Sequence, residues 1–209
     1  MRMRKKKNQE ERVEACAALM IHNREELLSY RDKFPCELEI GCGKGGFICQ
    51  MAERHPDRFY IALEVSTGAL ITAMERCVAA GIENIRFINA NAVTLTDIFQ
   101  KGEVAKIYLN FSDPWPKARH AKRRLTYRSF LELYRSILPE NGVIEFKTDN
   151  RALFDFSLEE FAFCEMKMTE VTYDLHQSEY NENNIVTEYE KTFSEKGFTI
   201  NRVVVYMHA

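Results

Sequence analysis

The 209-residue chain is notable first for what it lacks. No apolar run approaches the roughly 18 residues needed to span a bilayer, so an integral membrane protein is not expected. There is no internal repeat, low-complexity tract or Gly/Ser-rich linker, and a single globular domain is expected at this length. The six cysteines (Cys16, Cys36, Cys42, Cys49, Cys77 and Cys164) form no CxxC pair and have no histidine companions at zinc spacing. Free thiols in a reducing, cytoplasmic setting are therefore expected, with neither a disulfide framework nor a metal site. The basic start and short apolar run of MRMRKKKNQEERVEACAALMI imitate a secretion signal, but Glu10, Glu11 and Glu14 stand where the hydrophobic region should begin.

Net charge is also nearly absent, at -2, which taken whole argues against a nucleic-acid partner. Its placement argues the reverse. Residues 1–7 hold five cations (Arg2, Arg4, Lys5, Lys6, Lys7) and residues 117–128 hold six (Lys117, Arg119, Lys122, Arg123, Arg124, Arg128), with no acid in either segment. Nineteen residues thus carry +11, and the rest of the chain carries -13. Clusters of this kind suit a polyphosphate backbone.

After a polar, helical lead-in over residues 8–34, apolar runs bounded by Gly, Pro or Asn mark strands at 36–40, 59–64, 85–89, 105–110 and 143–147. Helical patterns fall between them at 44–54, 67–80, 126–138 and 151–163. Two more strands, 168–175 and 200–206, flank a polar loop and a short helix around TEYEKTFSEKG, and read as an edge hairpin. The alternation predicts an α/β fold of seven strands, mostly parallel, with helices on both faces and an antiparallel C-terminal edge strand. The lead-in (1–34) is expected to be a basic arm and helix, ahead of a domain over 35–209.

The first strand runs into LEIGCGKGG, which places Gly41, Gly43 and Gly46 in a GxGxxG turn before a helix. Such a turn lets a ligand approach the helix N-terminus, and Glu64 at the end of the second strand can hold a ribose diol. The spacing alone fits a dinucleotide equally well. Glu39 separates the two ligands, because a carboxylate beside this turn repels a pyrophosphate but attracts the sulfonium and ammonium of S-adenosylmethionine. Ligands of open α/β sheets bind beyond the carboxyl ends of the strands. There the five strands deliver Glu39, Glu64, Asn91, Asp113 and Asp149, a polar set that packing does not explain.

Asp113-Pro114-Trp115-Pro116-Lys117 follows the fourth strand and leads into the basic run RHAKRR, with the only Trp of the chain pinned between two prolines. LEIGCGKGG, NFSDPWPKARHAKRRLTYRSFL, FKTDN and TEYE, in this order and spacing, resemble the bacterial tRNA (guanine-N7)-methyltransferases. The resemblance implies a class I methyltransferase (Rossmann-like) fold. It also implies S-adenosylmethionine as donor and tRNA as substrate, methylated at guanine 46 of the variable loop. By that resemblance the cofactor contacts fall on Glu39, Glu64, Asn91 and Asp113, with Gly41 and Gly43 from the glycine turn. The substrate contacts fall on Lys117, Asp149, Thr187, Glu188, Tyr189 and Glu190. One departure is Asn91, where the family more often carries Asp.

Guanine N7 has an in-plane lone pair and no proton, so the reaction needs alignment rather than a base. Asp113 is the expected catalytic residue, orienting the guanine edge or the cofactor ammonium. Lys117, Arg119, Lys122, Arg123, Arg124 and Arg128 are expected to grip the tRNA backbone, extended by Lys5, Lys6 and Lys7. The expected assembly is a monomer or homodimer. A methyltransferase acting on another RNA, protein or small molecule would explain the cofactor set but not the clustered cations. An RNA-binding module without catalysis would explain only the cations.

Overall fold

A computed structural model describes residues 9–208. Seven strands form one sheet: β1 (Cys36–Ile40), β2 (Tyr60–Leu63), β3 (Ile85–Ile88), β4 (Val104–Asn110), β5 (Val143–Thr148), β6 (Lys167–Thr172) and β7 (Asn201–Tyr206). Their spatial order is β3-β2-β1-β4-β5-β7-β6. The first five are parallel, and β7 runs antiparallel to both β5 and β6. The antiparallel C-terminal strand thus belongs to the pair at this margin, but it inserts inside β6, which forms the outer edge. Alternation along the chain indicates that two strands are appended; it carries no information about which of them pairs with β5.

The helices are α1 (Gln9–Ala15), α2 (Arg24–Leu28), α3 (Ile48–Arg54), α4 (Thr67–Ala80), α5 (Leu95–Ile98), α6 (Arg128–Ile137), α7 (Arg151–Phe163) and α8 (Glu188–Ser194). The parallel strands are short and apolar because both faces of the sheet are covered. On one face, Leu38, Ile61, Ile107 and Phe146 pack with Leu131 and Tyr134 of α6 and Phe154 and Phe161 of α7. On the other, Tyr60, Ala62, Phe87 and Tyr108 meet Ile48 and Ala52 of α3 and Leu70, Ile71 and Met74 of α4. Asn150 begins α7 by accepting a hydrogen bond from the Leu153 amide, and α4 stops at Gly81 in the left-handed conformation. Among the described residues no helix is long and apolar enough to cross a membrane.

Three local differences from the sequence expectation have clear causes. The helix expected over 44–54 starts only at Ile48, because Gly41, Gly43 and Gly45 all take positive φ and keep the preceding residues in a turn. The first part of the basic block forms a 3-10 helix, Ala118–Arg123, ahead of α6. The described part of the lead-in is built into the main core: Leu27 is fully buried, and the Ile21 amide donates to the Phe87 carbonyl at 2.9 Å. Lys5, Lys6 and Lys7 lie outside the described residues.

Candidate active site at the carboxyl edge of the sheet

Parallel strands aim their carboxyl ends the same way, so the side chains just beyond β1, β2, β3, β4 and β5 converge. They open into two adjoining cavities that share Gly41 and Phe111. The first, about 370 Å³, is lined by Glu64, Asn91, Asp113 and Trp115 among others. The second, about 620 Å³, is lined by Glu39, Gly43, Asn110, Thr187, Glu188 and Tyr189 among others.

In the first cavity Glu64 fixes the glycine turn. Its carboxylate accepts from the Gly43 amide at 3.0 Å and from the Ser66 amide at 2.7 Å. Asn91, which lines the cavity, accepts from the Val93 amide at 3.1 Å through Oδ1 and so caps the short helix Ala92–Thr94, a bond that does not use its side-chain NH₂. Asp113 is exposed at the rim. An acceptor pair on Glu64 and a donor on Asn91 suit a ribose diol and a heteroaromatic base respectively.

In the second cavity Glu39 is only 2% exposed. One oxygen accepts from Asn110 Nδ2 at 2.8 Å, while the buried Oε2 makes no hydrogen bond among the described residues. Burial pushes this carboxyl up to about 7, against the pull of Asn110, the nearby Ile48 amide and Lys147. A buried carboxylate oxygen with no partner is an expensive feature unless a cation completes it. The ammonium of S-adenosylmethionine is such a cation, and the glycine turn beside it leaves room for one.

This geometry carries a pH prediction. A cation bound against Glu39 favours the ionised carboxylate, so below its raised pKa binding must release a proton. Affinity for S-adenosylmethionine is therefore expected to weaken by about 15-fold from pH 7 to about pH 5.5. Isothermal titration of the cofactor across this range checks it: Glu39→Gln should bind more weakly and lose most of the pH dependence. A flat profile in the unsubstituted protein would contradict this role for Glu39.

The loop after β4 is held in a costly shape. Phe111 (φ 53°) and Trp115 (φ 40°) both occupy the left-handed region, which bulky side chains rarely adopt and which recurs at functional sites. Five contacts impose it. The Phe111 amide donates to the Lys147 carbonyl at 2.8 Å. Arg124 donates to the carbonyls of Pro114 and Trp115 at 3.0 and 3.1 Å. The Arg123 guanidinium lies 4.9 Å from the Trp115 ring centroid, with His120 edge-on to the same ring at 5.8 Å. Trp115 accordingly forms part of the wall of the first cavity, with Asp113 beside it.

The basic block divides by role. Lys117, Arg119 and Lys122 are exposed. Arg123 is exposed as well, lying over Trp115. Arg124 is spent on the loop carbonyls. Arg128 is held by Glu160 through both its guanidinium, at 3.0 and 2.7 Å, and its backbone amide. The expectation that all six grip phosphates thus needs correction for Arg124 and Arg128, whose partners are internal. Counting like charges along a segment cannot show that Glu160 lies within reach.

The Thr187–Glu190 segment divides likewise. Thr187 caps α8 by accepting from the Glu190 amide at 3.0 Å. Glu188 pairs with Arg76, which draws its carboxyl below the usual carboxylate range. The Tyr189 ring packs on Phe111 at 4.9 Å and Phe193 at 4.3 Å. Its phenol is pushed up in pKa by burial, then by Asp149 and Asp113, so the three groups converge at the mouth of the site. Glu190 does not join them. It is fully buried, and its carboxylate is taken by Lys147, Asn184 and His176. An expected substrate contact is therefore an internal support, for the reason that the first turn of α8 rotates its third residue toward the sheet.

Residues missed by sequence reasoning include Asn110, Phe111, Arg76 and Lys147. Lys147 carried a signal, being a lone cation inside the apolar strand VIEFKT. The others form contacts between residues 71 to 112 positions apart, or within loops, and left no local pattern.

Comparison with known proteins agrees with this geometry. Residues 33–203 match the family described as "Putative methyltransferase". The chain is 46% identical to a tRNA (guanine-N(7)-)-methyltransferase of Streptococcus pneumoniae (strain CGSP14), over 97% of this chain and 98% of the relative. It is 47% identical to the enzyme of that name from Listeria monocytogenes serotype 4b (strain F2365), over 97% of each. Among solved structures the fold resembles the 16S rRNA methyltransferase KamB, with a TM-score of 0.67 and 13% identity over 90% of this chain and 95% of that one. It also resembles an antibiotic-related methyltransferase, with a TM-score of 0.63 and 16% identity over 88% and 92%. With its class I methyltransferase sheet and 46–47% identity to these enzymes over nearly its whole length, the chain belongs to the bacterial tRNA (guanine-N7)-methyltransferase family.

Proposed function

We infer that the protein transfers a methyl group from S-adenosylmethionine to nitrogen 7 of a guanine in tRNA, at position 46 of the variable loop. The observation that carries this reading is the buried, half-satisfied Glu39 in one strand-end cavity, beside a second cavity walled by Asp113, Trp115 and Arg123 from the stretch that also carries the exposed Lys117, Arg119 and Lys122. An acidic floor suits a cationic donor and a basic rim suits an RNA backbone.

When bound, S-adenosylmethionine supplies an electrophilic methyl group on a sulfonium. The residues of the chain bind and orient. Glu39 holds the ammonium, Glu64 the ribose, and Asn91 the base edge, while Gly41 and Gly43 allow close approach of the backbone. Guanine presents donors at N1 and N2 on the edge remote from its imidazole side. We assign Asp113, Asp149, Glu188 and Tyr189 to accept from that edge and direct N7 inward, a reading supported by the convergence of Tyr189 with Asp113 and Asp149. Because N7 carries no proton, no side chain has to remove one, and the rate rests on orientation and on keeping water out. Lys117, Arg119, Lys122 and Arg123 take the phosphates, and Lys5, Lys6 and Lys7 extend that footprint. We assign the methyltransferase domain to 35–209, with 1–34 as a basic extension whose Ile21 and Leu27 pack into the core of that domain. A cytoplasmic location, as a monomer or homodimer, fits a tRNA substrate.

The reading is tested by incubating the protein with labelled S-adenosylmethionine and paired tRNA transcripts that carry guanine or adenine at position 46. Label is expected only in the guanine transcript. Equal transfer to both would refute the assigned site.

A further inference from the structure

A buried charge cluster lies beneath the second cavity. Lys147, near the end of β5 and 2% exposed, directs its ammonium into the segment that precedes α8. Nζ donates to Asn184 Oδ1 at 2.9 Å, to the Ile185 carbonyl at 3.0 Å and to Glu190 Oε2 at 2.5 Å. The other oxygen of Glu190 meets Asn184 Nδ2 at 2.7 Å and His176 Nε2 at 2.8 Å. All three donors of the ammonium are thus used, and every bond ends on the chain that carries Thr187, Glu188 and Tyr189. The ammonium also lies 5.6 and 5.5 Å from the ring centroids of Phe47 and Phe111, which line the same cavity from the opposite side.

A fully buried ion pair is a poor stabiliser, because desolvation of two charges offsets most of their attraction, and an apolar pair of similar volume commonly serves stability as well or better. Its value is in fixing geometry. Three bonds from one ammonium set the height and rotation of a segment otherwise tied by Ile185 in the core, Tyr189 on Phe111 and Glu188 on Arg76. Without them Tyr189 loses its register against Phe111, and Glu188 its register against the glycine turn.

We propose that Lys147 is a positioning residue that, through Glu190 and Asn184, holds the 184–190 segment as the substrate wall of the methyl-transfer cleft. It touches neither cofactor nor guanine. The proposal rests on the tRNA guanine methyltransferase reading given above.

The test uses Lys147→Met, the double variant Lys147→Met/Glu190→Gln, and the milder Asn184→Ala in the full-length protein. Thermal stability, cofactor affinity by titration, and kcat and KM for tRNA are measured for each. Lys147→Met alone leaves the buried Glu190 carboxylate with only Asn184 and His176 as partners and should melt earlier. The double variant removes both charges and should recover most of that loss, with cofactor affinity within about 3-fold of the parent when both are read at about pH 8.5, where Glu39 is ionised without help from Lys147. Its kcat/KM for tRNA should still be down by about 100-fold, the order expected when a positioning element shifts by about 1 Å. Asn184→Ala should fold normally, keep its cofactor affinity and lose roughly 10-fold in kcat/KM for tRNA by the same argument. Parental tRNA kinetics in the double variant or in Asn184→Ala would overturn the proposal, as would losses in cofactor affinity that match those in tRNA turnover. Should the unsubstituted protein transfer no methyl to tRNA, the functional reading fails instead, and the two failures are distinguishable.

Discussion

Asp113→Asn is expected to lower the single-turnover rate of methyl transfer by at least about 100-fold while leaving tRNA affinity within about 3-fold. The substitution keeps the size of the side chain and replaces one carboxylate oxygen with an NH₂, so a group that accepts twice becomes one that accepts once and donates. A guanine edge that presents two donors then meets a donor. Asp113 is exposed, so its loss should leave the melting temperature almost unchanged. The loop around it will keep its shape, because that shape depends on Phe111, Arg124 and the prolines rather than on the Asp113 side chain. Phosphate contacts by Lys117, Arg119 and Lys122 persist, which is why affinity should survive when rate does not. A parental single-turnover rate would remove Asp113 from the reaction.

The second large effect is expected at Gly45, a residue outside the GxGxxG spacing. Its φ is +74°, and a Cβ placed there would lie 2.6 Å from Cys49 Sγ and 2.8 Å from Ala73 Cβ. The first obstacle is the second residue of α3, and the second is inside α4. The Cys49 thiol can turn aside only within a packed core, and the Cβ and Cα of Ala73 cannot withdraw without shifting α4, since both residues are buried. Gly45→Ala therefore combines a left-handed alanine with overpacking, a cost of about 2–5 kcal/mol. The turn that carries Gly43 against Glu64 would distort with it, so cofactor affinity should fall along with stability. Gly81→Ala provides the comparison. Its φ is +66°, but nothing lies within 4 Å of the added Cβ, so only the backbone cost of about 1 kcal/mol applies. Urea denaturation of both variants checks the difference. Equal losses would mean that close packing at Gly45 contributes nothing.

The strand ends were the most legible part of this protein. Period-two and apolar runs locate β1 to β5, parallel strands share a direction, and that direction brings Glu39, Glu64, Asn91, Asp113 and Asp149 to one edge. α4 and α7 also fall where the pattern puts them, bounded by Gly81 and by the Asn150 cap. Sidedness within short segments was less visible. Glu188 and Glu190 are two residues apart in TEYE, yet one pairs with Arg76 at the cavity and the other with Lys147 inside the core. That choice depends on how α8 is rotated, and the rotation is set by Lys147, 43 residues away. Arg124 and Arg128 raise the same difficulty. They look like their neighbours in a basic run, and only the fold brings the loop carbonyls to one and Glu160 to the other. The order of β6 and β7 was hidden for a related reason, since strand pairing is a long-range contact and the connecting segment of 28 residues allows either arrangement.

The central claim is that the methyl group arrives at nitrogen 7 of one guanine, and it can be read at that atom. A tRNA transcript is incubated with the protein and S-adenosylmethionine, reduced with borohydride and treated with aniline, which breaks the chain only where N7 of guanine carries a methyl group. A single scission at guanine 46 is expected, absent when the cofactor is omitted. Methyl transfer without scission, or scission at other guanines in place of this one, would contradict the account.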